Sequence, residues 1–339
     1  MKIAVLGGTR FIGPFLVRAL LQKGHRVDVY HRGKTACEFP AEVRHVTIDR
    51  NLVGQTAAAL SERRPDAVID MSGFRPSQVR EVLTAGLDLH HYVFCSSTSV
   101  YGRIGTGTPT ESTPINARSD YERGKAGSEH KILSIHHESG IPVTILRLAH
   151  PYGPGDHLVY GTGRDSLFLD RMRHGRSIVI PGSGDSRMHP IYVGDIAWAF
   201  VHVLGRRDCL GRIYNLAGDE ILTLNGYFAS IGRVLERPVV TSHVPASWFA
   251  ANTHLWSQRR RNFDFAPIWC EYEGAFDVRA LHETGFRCKT DHDSGVAATI
   301  AWLKEKQLIP ASSDEDLEDI VQKEWESGDQ AASPQEGTP

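Results

Sequence analysis

Lys2-Ile3-Ala4-Val5-Leu6 runs straight into Gly7-Gly8-Thr9-Arg10-Phe11-Ile12-Gly13, and a helical pattern continues from Phe11 to Gln22. An apolar strand, a glycine-rich turn and a helix in this order make a dinucleotide fingerprint. The glycines permit a tight turn and close backbone approach to a pyrophosphate, and the helix N-terminus offers unpaired N–H groups at the positive end of its dipole. A second apolar run, Arg26–Tyr30, completes a strand–turn–helix–strand unit.

Further short apolar runs alternate with amphipathic stretches. Arg44–Ile48, Ala67–Met71, Tyr92–Cys95 and Val143–Arg147 read as strands, and Asp120–His137 as a helix punctuated afterwards by Gly140 and Pro142. This alternation predicts an α/β fold: a Rossmann-type doubly wound parallel sheet covered on both faces, with a smaller C-terminal substrate-binding region. The expected division is an NAD(P)-binding Rossmann domain over residues 1–156, its sheet completed within about 182–219 by Arg212–Leu216, and a substrate-binding region formed by 157–181 and 220–310. No internal repeat interrupts this order.

The 339 residues carry 38 Lys+Arg against 40 Asp+Glu, and 41% of them are hydrophobic, which excludes a disordered or collagen-like chain. The near-neutral total conceals two unlike parts. Residues 311–339 hold nine acids and one base, Lys323, so this tail stands at −8 and the body at +6. Asp316–Trp325 places Leu317, Ile320, Val321 and Trp325 on one helical face, suiting either a partner-docking element or a helix packed on its own domain. From about residue 331 the composition predicts disorder.

The five cysteines form no C-x-x-C pair, and His90, His91, His136 and His137 come as neighbours rather than at i, i+4 spacing, so no metal site is expected. No run reaches the roughly 20 apolar residues needed to span a bilayer, and Ile3–Leu6 is too short for a signal peptide. The expectation is a cytoplasmic protein with no membrane partner.

The end of the second strand discriminates between cofactors, because an acid there binds adenosine ribose hydroxyls and a base binds a 2′-phosphate. Here it reads Tyr30-His31-Arg32-Gly33-Lys34, with Asp28 inside the strand. Arg32 and Lys34, with Arg10 in the turn, favour NADP over NAD. Farther along, Tyr121-Glu122-Arg123-Gly124-Lys125 sets a phenol and an ammonium four residues apart on one helical face. A nearby cation favours phenolate, so the spacing predicts a lowered Tyr121 pKa and a general acid/base for alcohol–ketone interconversion. The Tyr92–Cys95 strand ends in Ser96-Ser97-Thr98-Ser99-Val100-Tyr101-Gly102, where a hydroxyl would steady charge on a substrate oxygen. A capping serine cluster is the plainer reading of that segment.

Together these segments resemble the extended short-chain dehydrogenase/reductase family, in its NAD-dependent epimerase/dehydratase branch. Leu146-Arg147-Leu148-Ala149-His150-Pro151-Tyr152-Gly153-Pro154-Gly155-Asp156, His189-Pro190-Ile191-Tyr192-Val193-Gly194-Asp195 and Tyr214-Asn215-Leu216-Ala217-Gly218 extend the likeness in order through about residue 305. The resemblance implies catalytic Ser97, Tyr121 and Lys125, with Lys125 also holding the nicotinamide ribose. It implies cofactor contacts from Gly7, Thr9, Arg10, Phe11, Ile12, Gly13, His31, Arg32, Lys34, Asp49, Met71, Ser72, Gly73 and His150. For the substrate it points to Thr98, Ser99, His150 and Arg187. Three departures stand out: Arg10 replaces a usual Gly, His31 a usual Asp, and His150 the Asn common in sugar-nucleotide enzymes.

Dehydrating members of the branch carry adjacent Asp and Glu after the serine, and decarboxylating members a Glu. This chain has Thr98 and Ser99, whose hydroxyls titrate too high to replace carboxylates. The remaining expectation is an NAD(P)-dependent epimerase or ketoreductase moving hydride at a secondary alcohol or ketone. Its substrate would be a small molecule, sugar or nucleotide-sugar-like and phosphorylated or nucleotide-linked; a homodimer is left open. The alternative is a non-catalytic RNA-binding or nucleotide-sensing member, which the +6 body and Arg259-Arg260-Arg261 would suit. The complete Ser97, Tyr121 and Lys125 set argues against nucleic acid as the partner.

Overall fold

Successive residues of the first strand face opposite ways, as a pleated strand requires. Ile3 and Val5 join one apolar cluster and Ala4 and Leu6 another, and all four are fully buried. A strand buried on both faces belongs in the middle of a covered parallel sheet. The strands are β1 (Lys2–Leu6), β2 (Arg26–His31), β3 (Arg44–Thr47), β4 (Ala67–Asp70), β5 (His91–Ser97) and β6 (Val143–Leu148), with Arg212–Leu216 as the seventh. Their order across the sheet is β3-β2-β1-β4-β5-β6 and then Arg212–Leu216, every neighbouring pair parallel. The expected Rossmann-type doubly wound sheet is therefore present. Strand order reverses between β1 and β4, and the carboxyl ends there open a crevice where such sheets bind ligands.

The computed structural model describes residues 1–105, 107–160, 163–164, 166–252 and 273–332. The helices between the sheet strands are α1 (Ile12–Gln22), α2 (Gln55–Arg63), α3 (Pro76–Leu83) and α4 (Asp120–Ser139). Leu16, Val17 and Leu20 of α1 cover one sheet face together with Ile196, Phe200 and Val203 of the Val193–Val203 helix. Leu60 of α2, Val79 and Val82 of α3, and Ile132 and Ile135 of α4 cover the other. The Asp120 start of α4 is set by a capping box: Ser119 Oγ accepts the Glu122 N–H at 3.2 Å while Glu122 Oε2 accepts the Ser119 N–H at 2.9 Å. Tyr121 is thereby fixed in the first turn.

Two units make up the chain. The first comprises Met1–Gly155, His189–Glu220 and Ala275–Asp291, the second Asp156–Met188, Ile221–Gly274 and His292–Pro339. Residues 275–291 thus leave the expected 220–310 region and join the sheet-bearing unit. The reason lies in the His189–Asp195 motif. Buried Asp195 accepts the Lys289 and Thr290 N–H groups at 2.8 and 3.2 Å, and His189 Nδ1 accepts the Phe276 N–H at 3.3 Å.

In the second unit, Ile178–Pro181 pairs in parallel with Thr241–Val244. The acidic tail is part of this unit rather than an appendage: Leu317–Ala332 is a helix, with Val321, Leu317 and Trp325 packed against Val179, Val244, Phe249 and Trp248. Buried Arg171 anchors its first turn, donating to Asp316 at 3.0 Å and to both Asp319 oxygens at 2.6 and 2.8 Å. Arg171 thus answers two of the tail's nine acids, and Arg176 pairs with a third, Asp314, at 2.5 Å. The disorder expected from about residue 331 falls where residues 333–339 lie outside the described residues, as does the Arg259–Arg261 run. Among the described residues, no helix is long and apolar enough to cross a membrane, and no His/Cys/Asp/Glu group is placed to hold a metal.

Candidate active site

The turn after β1 is built for backbone proximity. Gly7 has φ +81°, and a Cβ there would lie 2.6 Å from the Ser72 side chain; at Gly13 it would lie 2.3 Å from the Gly8 carbonyl oxygen. Phe11, at φ 51°, completes the strained turn that delivers α1. Gly13→Ala should therefore push α1 off the turn, costing about 1–3 kcal/mol as overpacking and at least tenfold in dinucleotide affinity, read by urea unfolding and fluorescence titration. Unchanged affinity would show that the close approach is not needed.

Around this turn lies a cavity of about 470 Å³. It is lined by Gly7, Thr9, Arg10, Phe11, Ile12, Gly13, His31, Arg32, Lys34, Asp49, Met71 and Ser72, which the sequence assigned to a cofactor. Arg10, Arg32 and Lys34 are exposed there, and their side chains make no hydrogen bond or ion pair with described residues. A glycine cradle at a helix start, opening into a cavity with free cations at its rim, fits a dinucleotide. Asp49 is partly engaged, its Oδ1 accepting both N–H groups of Asn51 at 3.0 Å.

The sequence reading missed Arg50 and Phe74, which also line the cavity. Arg50 donates to both oxygens of fully buried Asp70 at 2.5 and 2.8 Å, and Tyr92 donates its hydroxyl to Asp70 at 2.8 Å. Burial alone would raise the Asp70 pKa; the charge and hydrogen bonds of Arg50 and the Tyr92 hydroxyl bring it below the usual carboxylate range. The signal for Arg50 was its place beside Asp49, but its partner lies twenty residues on.

Ser97 ends β5, and its Oγ accepts the Ser99 N–H at 3.2 Å, so the capping reading of the serine cluster holds as well. Tyr121 keeps 48% of its surface open to solvent, with its ring 6.1 Å from that of Phe74. Its pKa is raised, chiefly by desolvation and then by Cys95, while the Ser97 side chain acts in the lowering direction. The expected depression by Lys125 is not found, and the geometry supplies the reason. The Lys125 ammonium is buried, donating to the Cys95 and Gly73 carbonyls at 2.7 and 3.0 Å and lying 4.7 and 4.8 Å from the centroids of the Phe74 and Phe94 rings. Its charge is spent on the ends of β4 and β5, and burial lowers its own pKa. Gly73 serves here as a carbonyl acceptor and does not line the cavity.

The sequence model of the NAD dependent epimerase/dehydratase family matches residues 3–84 and 77–217. The chain belongs to this family. Chloroplast stem-loop binding protein of 41 kDa b from Arabidopsis thaliana is 30% identical over 238 residues, covering 66% of this chain and 61% of that protein, so the chain spans under two thirds of this relative's length. The 2'-dehydrokanamycin reductase of Streptomyces kanamyceticus is 26% identical over 267 residues, 76% of each chain. The fold also matches the crystal structure of UDP-glucuronic acid 4-epimerase from Bacillus cereus in complex with UDP-glucuronic acid and NAD, at TM-score 0.70 and 19% identity, covering 90% of this chain and all of that one.

Several residues that the family likeness assigned to ligands are engaged within the protein. Thr98 is buried and donates its hydroxyl to the Leu148 carbonyl at 3.2 Å, which directs it into the sheet rather than toward a substrate. His150, at φ 30°, turns Nδ1 to the His189 N–H at 3.1 Å and does not line the cavity. Arg187 belongs to the second unit and pairs with Glu273 at 2.5 Å. Ser99 stays partly buried beside Ser97. Beneath the site, Arg147 and Glu129 form a buried ion pair with contacts at 2.6, 3.0 and 3.1 Å, and Ser96 donates to Glu129 at 2.5 Å. This pair clamps α4 to the ends of β5 and β6.

Proposed function

We propose that the chain is an enzyme of the short-chain dehydrogenase/reductase type, an epimerase or ketoreductase acting at a secondary alcohol or ketone of a sugar or nucleotide-sugar-like substrate. The observation that supports it most is the Tyr121 ring 6.1 Å from that of Phe74, which lines the glycine-cradled cavity together with Cys95 of the strand that ends in Ser97. A bound nicotinamide would take up and return hydride there. Tyr121 moves the proton at the substrate oxygen, Ser97 donates a hydrogen bond to that oxygen, and the caged Lys125 fixes the strand ends against which both are set.

NADP is the preferred cofactor in this reading, because Arg10, Arg32 and Lys34 supply three uncommitted cations and the end of β2 supplies no carboxylate. Arg32→Ala should weaken NADPH binding by about tenfold, roughly the worth of one charge-assisted hydrogen bond, and leave NADH within twofold. Equal loss for both would remove Arg32 as a phosphate reader. Identifying the nucleotide retained on purification tests direction: tightly held NAD supports an epimerase, exchangeable NADPH a reductase.

A second reading is RNA binding, favoured by the 30% identity with a stem-loop binding protein. It predicts salt-dependent capture of a stem-loop RNA by the purified chain. An RNA complex formed by protein with no turnover on any ketone or alcohol tested would put this reading first.

A further inference from the structure

At the outer edge of the cavity two histidines and one backbone amide form a chain whose proton positions are dictated by one atom. The Gly33 N–H lies 3.0 Å from His31 Nδ1. An amide N–H can only donate, so His31 Nδ1 is the acceptor and its proton sits on Nε2. That Nε2 lies 2.9 Å from His45 Nδ1, so it donates there, and His45 Nδ1 must in turn be bare. Both rings are therefore neutral with the proton on Nε2. Partial burial and the neighbouring His45 lower the His31 pKa, consistent with an uncharged ring.

The geometry around the pair is equally definite. His45 comes from β3 and sits opposite Val29 in the register, so it lies diagonally beside His31 on the same side of the sheet. Its ring meets His31 edge-on at 5.1 Å and Phe39 at 5.6 Å. Gly33 has φ +71°, a left-handed turn that directs the chain away from β2, and it stands between Arg32 and Lys34. Tying down its amide therefore fixes the backbone from which both cations project.

We propose that His45 is a positioning residue for cofactor choice: through His31 it holds the Gly33 turn so that Arg32 and Lys34 are presented together to the 2′-phosphate of NADP. The inference rests on the NADP reading above and adds a residue that touches no ligand. Its energetic content is preorganisation. Two long cationic side chains on a loose turn must be ordered when the phosphate binds, and holding the turn beforehand removes part of that cost. An NAD ribose, with no phosphate, gains nothing from it.

The test is titration of the full chain with NADPH and NADH, following nicotinamide fluorescence, for wild type, His45→Ala and His45→Asn. An Asn amide oxygen stands close to where Nδ1 stood and can accept from His31. Wild type is expected to prefer NADPH. His45→Ala should lose about tenfold in NADPH affinity with NADH within twofold, and His45→Asn should recover to within about threefold of wild type. The NADH titration shows that the cavity is still formed, and the Asn rescue separates acceptor chemistry from packing. If wild type prefers NADPH and His45→Ala leaves the ratio of the two affinities unchanged, or His45→Asn behaves as His45→Ala, the relay is overturned and the NADP reading stands. If wild type prefers NADH, both fall.

Discussion

Tyr121→Phe should reduce kcat by about 10²–10⁴-fold while the affinity for NADPH stays within twofold of wild type, because only the phenolic proton is lost. The ring, its 6.1 Å approach to Phe74 and the capping box that starts α4 are all retained in the variant. Turnover at the wild-type rate would remove Tyr121 from the chemistry. The raised Tyr121 pKa adds a signature in pH. A phenol held above its ordinary value of 10.0 is protonated at neutrality, ready to donate to a ketone and unready to accept from an alcohol. In the free enzyme, kcat/KM for alcohol oxidation should therefore keep climbing up to pH 10, whereas reduction should be flat until there. An oxidation profile that levels near pH 7 would mean that another group is the base.

The second large effect concerns stability. Glu129→Ala should cost about 3–5 kcal/mol in urea unfolding, because it leaves the Arg147 guanidinium buried without its carboxylate. Arg147 is 2% exposed and Glu129 1%, so neither charge has water to turn to. Replacing both together, Glu129→Leu with Arg147→Met, should cost less than Glu129→Ala alone, since no isolated charge remains. The two outcomes separate an ion pair that stabilises from one that merely must not be broken. A loss under about 1 kcal/mol in Glu129→Ala would show that water reaches the site, contrary to its burial.

Lys2–Gly13 was legible because every property that matters there is local. A strand, a turn requiring φ > 0 at Gly7 and a helix start are encoded within twelve residues, and the cavity forms around them. The same holds for the alternation that gave the sheet. The helix that carries Tyr121 and Lys125 was also legible, but the electrostatics of these two residues were not. Spacing of four put Tyr121 and Lys125 on one face; the carbonyls of Gly73 and Cys95, fifty-two and thirty residues away, decided where the ammonium points.

Distance along the chain also hid Arg50–Asp70, Arg147–Glu129 and Arg171–Asp319, each a pair whose members say nothing of one another until the fold joins them. The acidic tail is the clearest case. Its sequence suited either a partner-docking element or a helix packed on its own domain, and the fold decides for packing, with Asp316 and Asp319 paired to Arg171 from a helix some 145 residues earlier. By itself the sequence determined the Rossmann sheet and the glycine turn with its helix start, because period and turn chemistry act over a few residues, while the candidate catalytic set came from the family resemblance. Only the tertiary structure decided which charges are free to meet a ligand and which are already spent, because a charge takes its partner from whatever the fold brings within 3 Å.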